Sequence, residues 1–314
     1  MTMPHCRLGS TGPHVSRLSL GSWRTFERID REQGLAVMHA ARDAGITFLD
    51  DARYNDETGT APLATGYSEV VFGELFAAAG WPRDRTIVAN KLWWEFWPQE
   101  RARQEIDGSL GRMRFDHIDL IYAATPPPGS SIDEIVGEVS EVIAAGKARW
   151  WGFLNWPPAL MQRAAVVVER EGLPSPVAAQ LPYSLVQRNP VESADMIAAL
   201  ASGGASVVAS FALAGGVLTG KYDDDPAAGR AAGNLEEPRA AKAAAAGREL
   251  AALAGSIGTE PGALAIVFAL ENPIVASVLF GATRPEQVQR NTAALDLAHR
   301  LDDDLRDRLH AIGR

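Results

Sequence analysis

Short apolar runs alternate with longer amphipathic segments along the whole chain. The runs at 18–20, 47–49, 87–89, 118–123, 151–153, 177–180, 206–210 and 276–280 read as strands. Between them, apolar residues recur at three- and four-residue spacing over 34–44, 68–79, 101–113, 132–145, 159–171 and 194–201, which predicts helices. Asp133 and Glu134 suit a helix start, and Gly146 and Gly172 suit helix ends. The alanine-rich stretch 240–254 predicts a further plain helix. Eight strands, each followed by a helix, make a (β/α)8 TIM barrel. The competing doubly wound sheet wants a Gly-x-Gly-x-x-Gly turn after its first strand. Here that turn reads Leu20-Gly21-Ser22-Trp23-Arg24-Thr25. No linker or composition break divides the chain, so 1–314 reads as one domain.

Segments 56–66 and 215–238 exceed what a minimal barrel needs, and both fall after strands, on the C-terminal face where catalytic loops sit. The net charge of -9 argues against nucleic acid or an anionic membrane as partner. The acidic runs Asp223-Asp224-Asp225 and Asp302-Asp303-Asp304 read as solvated faces, so no metal site is expected. The single cysteine, Cys6, excludes an intramolecular disulfide and a cysteine-based zinc cluster. The start Met1-Thr2-Met3-Pro4-His5 lacks a signal-peptide apolar core, and no apolar stretch is long enough to span a bilayer. The expected compartment is the cytoplasm.

The chemistry concentrates in Phe48-Leu49-Asp50-Asp51-Ala52-Arg53-Tyr54 and Val88-Ala89-Asn90-Lys91. Asp50, Tyr54 and Lys91 stand at or just past the ends of two strand-like runs. A lysine held close to a tyrosine lowers the phenol pKa, and an aspartate fixes the lysine. Such a set donates a proton to a carbonyl oxygen while hydride arrives from elsewhere. Tyr67, beside Ser68-Glu69, is the rival donor, although its place at a helix start favours a loop or capping role. Trp93, Trp94, Phe96 and Trp97 follow Lys91, and Trp93 and Trp94 are expected to form an apolar substrate wall. Pro126-Pro127-Pro128 stiffens the loop after Ala124 and Thr125.

Further ordered motifs extend over nearly the whole length. They include Leu8-Gly9-Ser10-Thr11-Gly12, Ser68-Glu69, Asp116-His117-Ile118-Asp119-Leu120 and Gly146-Lys147-Ala148-Arg149. Asn155-Trp156, Gln180 and Tyr183-Ser184-Leu185 follow, then Ala214-Gly215-Gly216-Val217-Leu218-Thr219-Gly220-Lys221-Tyr222 and Gly281-Ala282-Thr283-Arg284-Pro285-Glu286-Gln287 with Asn291. With them the chain resembles the aldo-keto reductases, in the branch that includes the beta subunits of voltage-gated potassium channels.

The resemblance implies a barrel with an N-terminal hairpin and long C-terminal-face loops that binds NADP without metal. Asp50, Tyr54 and Lys91 would be the proton-donating set. Asn155 and Gln180 would hold the nicotinamide carboxamide. Gly215 to Gly220, with Lys221, would meet the pyrophosphate, and Leu213 and Leu218 belong to the same segment. Thr283, Arg284, Gln287 and Asn291 would contact the adenosine end, Arg284 taking the 2′-phosphate in two-pronged geometry. Trp23, Ser210 and Gly281 complete the expected cofactor contacts.

Three departures fall at the chemistry. The family's histidine is matched by Ala124, which places Ala124 in the expected substrate pocket. His117 begins its strand, at the opposite end from the active face. Leu154 precedes Asn155 where a small hydroxyl is usual. Ser210 stands where an aromatic usually stacks on the nicotinamide, and Phe211 replaces it only if the strand end is irregular. The resulting expectation is hydride transfer from NADPH to an apolar or aromatic carbonyl, imine or enone. The alternative is a cofactor-bound sensor or assembly protein with little turnover.

Overall fold

The computed structural model describes residues 2–224 and 238–314. The expected loop 215–238 is therefore followed only to residue 224, and Asp225 lies outside the described residues. A two-stranded antiparallel hairpin, β1 (His5–Arg7) and β2 (His14–Ser16), precedes the barrel. The barrel strands are β3 (Leu18–Gly21), β4 (Phe48–Asp50), β5 (Ile87–Leu92), β6 (Ile118–Ala124), β7 (Ala148–Leu154), β8 (Ala178–Pro182), β9 (Ser206–Ser210) and β10 (Val275–Phe280). They are parallel and close in the order β10-β3-β4-β5-β6-β7-β8-β9. This is the (β/α)8 barrel that the alternation of runs predicts.

Two buried layers follow from the period-two alternation of strand side chains. Phe48, Ala89, Leu120, Tyr122, Ala178, Val208 and Ala276 fill the inside of the barrel. The hairpin's Leu8 and Val15 join that cluster, fully buried, and stop its N-terminal mouth. Gly9 N donates to Ser206 Oγ at 2.9 Å and Ser10 N to Gly204 O at 2.9 Å, which fixes the stopper to the strand beneath. The opposite strand faces, such as Leu49, Val88, Ile121 and Val207, pack against the helices.

The first five major helices are α1 (Arg31–Asp43), α2 (Tyr67–Ala78), α3 (Ala102–Met113), α4 (Ile132–Ala144) and α5 (Pro158–Glu171). The N-cap of α4 is Ser131, whose hydroxyl accepts from Glu134 N. Asp133 and Glu134 sit in its first turn, where acidic groups favour the helix dipole. The alanine-rich stretch lies in helix Pro238–Ile257, which meets Pro261–Glu271 at a 100° bend. No single described helix is long and apolar enough to cross a membrane.

Two neighbouring helices of the shell approach backbone to backbone. Gly73 on α2 faces the end of α3, and a Cβ there would stand 2.3 Å from Met113 O. Gly137 on α4 faces open space, with nothing within 4 Å of such a Cβ. Gly73→Ala is expected to cost about 2 kcal/mol of stability through overpacking. Gly137→Ala should add about 0.5–1 kcal/mol through helix propensity. Urea denaturation midpoints of the two variants test the opposite signs.

Candidate active site

Strand parity brings the site together. Phe48, Ala89, Ala178 and Val208 point into the barrel, so Asp50, Lys91, Gln180 and Ser210, two residues further along, point inward at its C-terminal mouth. Asp50 and Lys91 are 2% and 3% exposed, and Lys91 Nζ lies 2.6 Å from Asp50 Oδ1. Gln180 Nε2 donates to Asp50 Oδ2 at 2.9 Å, so both carboxylate oxygens are engaged. Lys91 Nζ also donates to Asp51 O at 3.2 Å and to Tyr54 Oη at 3.1 Å.

An ammonium has three protons, and these three acceptors use all of them. The Tyr54 oxygen accepts from Lys91, so the phenol's own proton is free to be donated elsewhere. Tyr67 is placed differently. Its hydroxyl accepts from Arg31 at 3.3 Å and its ring lies under the Arg31 guanidinium, away from Lys91.

The electrostatics correct one expectation. Burial pushes the Tyr54 phenol well above its ordinary pKa; Lys91 pulls it down, while Asp50 and Asp51 add to the rise. Lys91 does lower the phenol pKa by its own contribution, but burial outweighs it. Tyr54 is therefore a protonated acid across neutral and mildly alkaline pH. Burial alone would depress the Lys91 pKa, but the attraction of Asp50, followed by that of Tyr54, more than offsets it. The Lys91 ammonium stays charged. Below the site, the Tyr122 hydroxyl is pushed up chiefly by burial and further by Asp50.

From this mouth a cleft of about 830 Å³ runs outward between the strand ends. That volume lies within the range of small-molecule and cofactor sites. Its inner end holds Asp50, Tyr54, Lys91, Trp23, Trp93, Asn155, Gln180, Ser210 and Phe211. Leu213, Gly215 and Lys221 line its middle segment after β9, and Gly281, Thr283, Arg284, Gln287 and Asn291 line the segment after β10.

Three expected residues lie elsewhere. Leu218 is fully buried and packs into the core beneath the segment, so it does not line the cleft. Trp94 is turned away by a left-handed backbone, φ 62, and its indole Nε1 donates to Ala124 O at 3.1 Å. Only Trp93 of the pair forms wall. Ala124, half-buried at the end of β6, packs between neighbouring side chains outside the lining; its short side chain does not reach the cleft.

Several strand ends leave the sheet through a left-handed residue: Arg24 (φ 52), Trp94 (φ 62), Asn155 (φ 57) and Phe211 (φ 56), with Ala214 (φ 48) just beyond. Such backbone is uncommon outside glycine and clusters at functional sites. The condition set for Phe211 is thus met: the end of β9 is irregular. Its ring is 48% exposed in the cleft and packs edge-on against Trp23, centroids 5.4 Å apart.

Sequence reasoning missed Arg24, Arg28 and Arg290, which also line the cleft. Arg24 and Arg28 both pair with Glu57 on the loop after β4. Arg24 and Arg28 follow the end of β3, the only signal for them, while Arg290 lies in the last turn of the helix Pro285–Thr292.

The lining suits an anionic dinucleotide. Arg284 and Arg290 have no ion-pair partner among the described residues, and both face the cleft. A Cβ at Gly216 (φ 93) would come within 2.9 Å of Lys221 Nζ, so the glycine lets the ammonium lie close over the backbone. Gln287 Oε1 accepts from Thr283 N at 2.7 Å and Arg284 N at 3.1 Å, which shapes the turn carrying Arg284. Gln33 Nε2 on α1 donates to Thr283 O at 2.7 Å and anchors the same turn.

Lys91→Met is expected to lower stability by about 3 kcal/mol, because Asp50 is left buried with only the Gln180 amide. Adding Asp50→Asn should recover more than half of that loss. Chemical denaturation of the single and double variants checks both; a silent Lys91→Met contradicts the buried-pair account.

Residues 17–314 match the aldo/keto reductase family. The chain is 30% identical over 329 aligned residues to a probable voltage-gated potassium channel subunit beta of Oryza sativa subsp. japonica, covering 99% of this chain and 96% of that protein. It is 29% identical to a probable voltage-gated potassium channel subunit beta of Arabidopsis thaliana, covering 99% of this chain and 96% of that protein. It is 28% identical to a putative voltage-gated potassium channel subunit beta of Schizosaccharomyces pombe, covering 99% of this chain and 93% of that protein. With the closed barrel and the Asp50–Lys91–Tyr54 network at its C-terminal mouth, these likenesses establish that the chain belongs to the aldo/keto reductase family.

Proposed function

We propose that the protein is an NADP(H)-dependent oxidoreductase that reduces an apolar or aromatic carbonyl, or a related imine or enone. The observation that carries this reading is the Lys91 Nζ–Tyr54 Oη contact of 3.1 Å at the inner end of the cleft. NADPH, when bound, supplies hydride from the nicotinamide C4.

The remaining work falls to the chain. Tyr54 Oη holds the proton that the substrate oxygen or nitrogen takes. Lys91 accepts no proton itself; its charge stabilises the phenolate that forms, and Asp50 holds Lys91 in place. Asn155 and Gln180 orient the carboxamide, and Arg284 takes the 2′-phosphate, with Lys221 adding charge near the pyrophosphate. Trp23, Trp93 and Phe211 line the inner cleft and exclude water from the reacting atoms.

Ala124 bears on the substrate class. In this reading it occupies the place of the family's histidine and offers no hydrogen bond to a carbonyl. Losing one such donor costs on the order of a hundredfold in rate. Simple aldehydes are therefore poor substrates, and acceptors that gain from aromatic contact are better ones.

A second reading is favoured by the same alanine and by the names of the relatives: a cofactor-binding assembly subunit with slow turnover. Following NADPH absorbance with and without aromatic aldehydes, quinones, imines and enones separates the two. Turnover above the blank with any of them supports the first reading, and none supports the second.

NADPH should bind about tenfold more tightly than NADH, a gap of about 1.4 kcal/mol. Arg284→Ala should remove most of this gap by weakening NADPH and leaving NADH unchanged. Titration of tryptophan fluorescence with each nucleotide measures it, and equal affinities in the unaltered protein sink the assignment.

Tyr54→Phe should lower single-turnover reduction by about a hundredfold, in the range of general acid catalysis, with nucleotide affinity unchanged. The acid form is the active one, and the Tyr54 pKa is raised. Activity should therefore hold as pH rises, with the alkaline limb of kcat/KM lying above about pH 10, the ordinary tyrosine value. A limb near neutrality assigns the proton to another group.

A further inference from the structure

Arg53 directly precedes Tyr54, yet its side chain is only 4% exposed and does not line the cleft. It meets Glu105 at 3.2 Å, Glu100 at 3.3 Å and Glu95 at 3.5 Å, and it lies over the Phe96 ring at 5.2 Å. Glu105 projects from α3 and is 2% exposed. Its Oε1 accepts from Trp93 N at 2.7 Å, and its Oε2 accepts from Trp94 N at 3.2 Å. One buried carboxylate thus grips two successive backbone amides just past β5, and Arg53 supplies its counter-charge.

Burying such charges costs free energy and does nothing to close the barrel. The arrangement does fix the loop that carries Trp93. Trp94 is spun out of the cleft at φ 62, and the Trp93 ring is left 6.1 Å from the Tyr54 ring, inclined by 58°. The acid is held separately, by Lys91 Nζ at 3.1 Å, so the Arg53–Glu105 contact bears on the indole and not on the proton donor.

We propose that Arg53 and Glu105 are specificity-determining positioning residues: they clamp Trp93 as a fixed wall beside Tyr54 that selects flat aromatic acceptors over small aliphatic ones. A wall already in place spares an aromatic substrate the cost of ordering the loop. A small aliphatic substrate touches little of that wall and gains little from it. The proposal rests on the reductase reading for its substrates, but the clamp can be tested without turnover.

Glu105→Gln keeps the shape of the side chain and removes one of the two acceptor oxygens. In the NADPH-loaded protein it should raise KM for 2-naphthaldehyde about tenfold while KM and kcat for butanal stay within about twofold. Calorimetric titration with 2-naphthol, which is not reduced, should show affinity about tenfold weaker than in the unaltered protein. Arg53→Lys, which keeps the charge and loses the fork, should give the same selective loss and serves where Glu105→Gln does not fold. Combined with Trp93→Ala, either variant should weaken 2-naphthol binding no further than Trp93→Ala alone, because both act through one indole.

Equal losses for butanal and 2-naphthaldehyde, unchanged 2-naphthol affinity, or additive losses in the double variant would each overturn the clamp. If neither aldehyde is turned over by the unaltered protein, the reductase reading is decided by the quinones, imines and enones instead, and the 2-naphthol titration still decides the clamp.

Discussion

The ion pair between Asp50 and Lys91 is the contact around which the C-terminal mouth of the barrel is built. Two charges held almost out of water are tolerated only when their remaining hydrogen-bonding capacity is met. Here Gln180 takes the second oxygen of Asp50, while Asp51 O and Tyr54 Oη take the other protons of Lys91. The pair therefore ties β4, β5 and β8 together and draws the loop after β4 down onto the mouth. Asp51 is held from both sides: its N–H donates to Ala89 O at 3.0 Å, and its carbonyl receives Lys91. The position of Tyr54 is a consequence of satisfying a buried ammonium.

The same constraint extends outward from the barrel. Asn90, on the opposite face of β5 from Lys91, donates to Glu69 Oε1 at 2.8 Å, and its Oδ1 accepts from Lys91 N. Glu69 is fully buried and pairs with Arg112 of α3 at 2.6 Å. Helices α2 and α3 are thereby joined through polar contacts to the strand that carries the lysine. The wall of the cleft rests on one of the same helices, since Glu105 of α3 accepts from Trp93 N.

Most of the fold could be read in the sequence, because a parallel barrel strand is buried on both faces and stands out as a continuous apolar run. The run 206–210 coincides with β9. The run 47–49 falls one residue short at its end, because Asp50 is a charged residue inside the strand and hides the boundary. Asp50 and Lys91 could be placed at strand ends, but their inward parity, with that of Gln180, became visible only with the strands themselves. What the sequence could not disclose was backbone sense at the strand ends. Trp93 and Trp94 look equivalent as letters, and a single left-handed residue sends one into the cleft and the other behind Ala124. Phe211 enters the cleft by the same kind of turn, and Leu218 leaves it because its segment coils into short helical turns. The Arg53–Glu105 contact was hidden for another reason: fifty-two positions separate the partners, and neither belongs to a local pattern.

The left-handed strand ends also bear on how this catalytic face can be transplanted. Its shape is written in main-chain torsions at Arg24, Trp94, Asn155 and Phe211 as much as in the identities of those residues. Copying the side chains onto another eight-stranded scaffold with ordinary strand exits would point the same letters at different neighbours. A graft that keeps the function has to carry whole exit loops, together with the partners beneath them that hold each torsion in place.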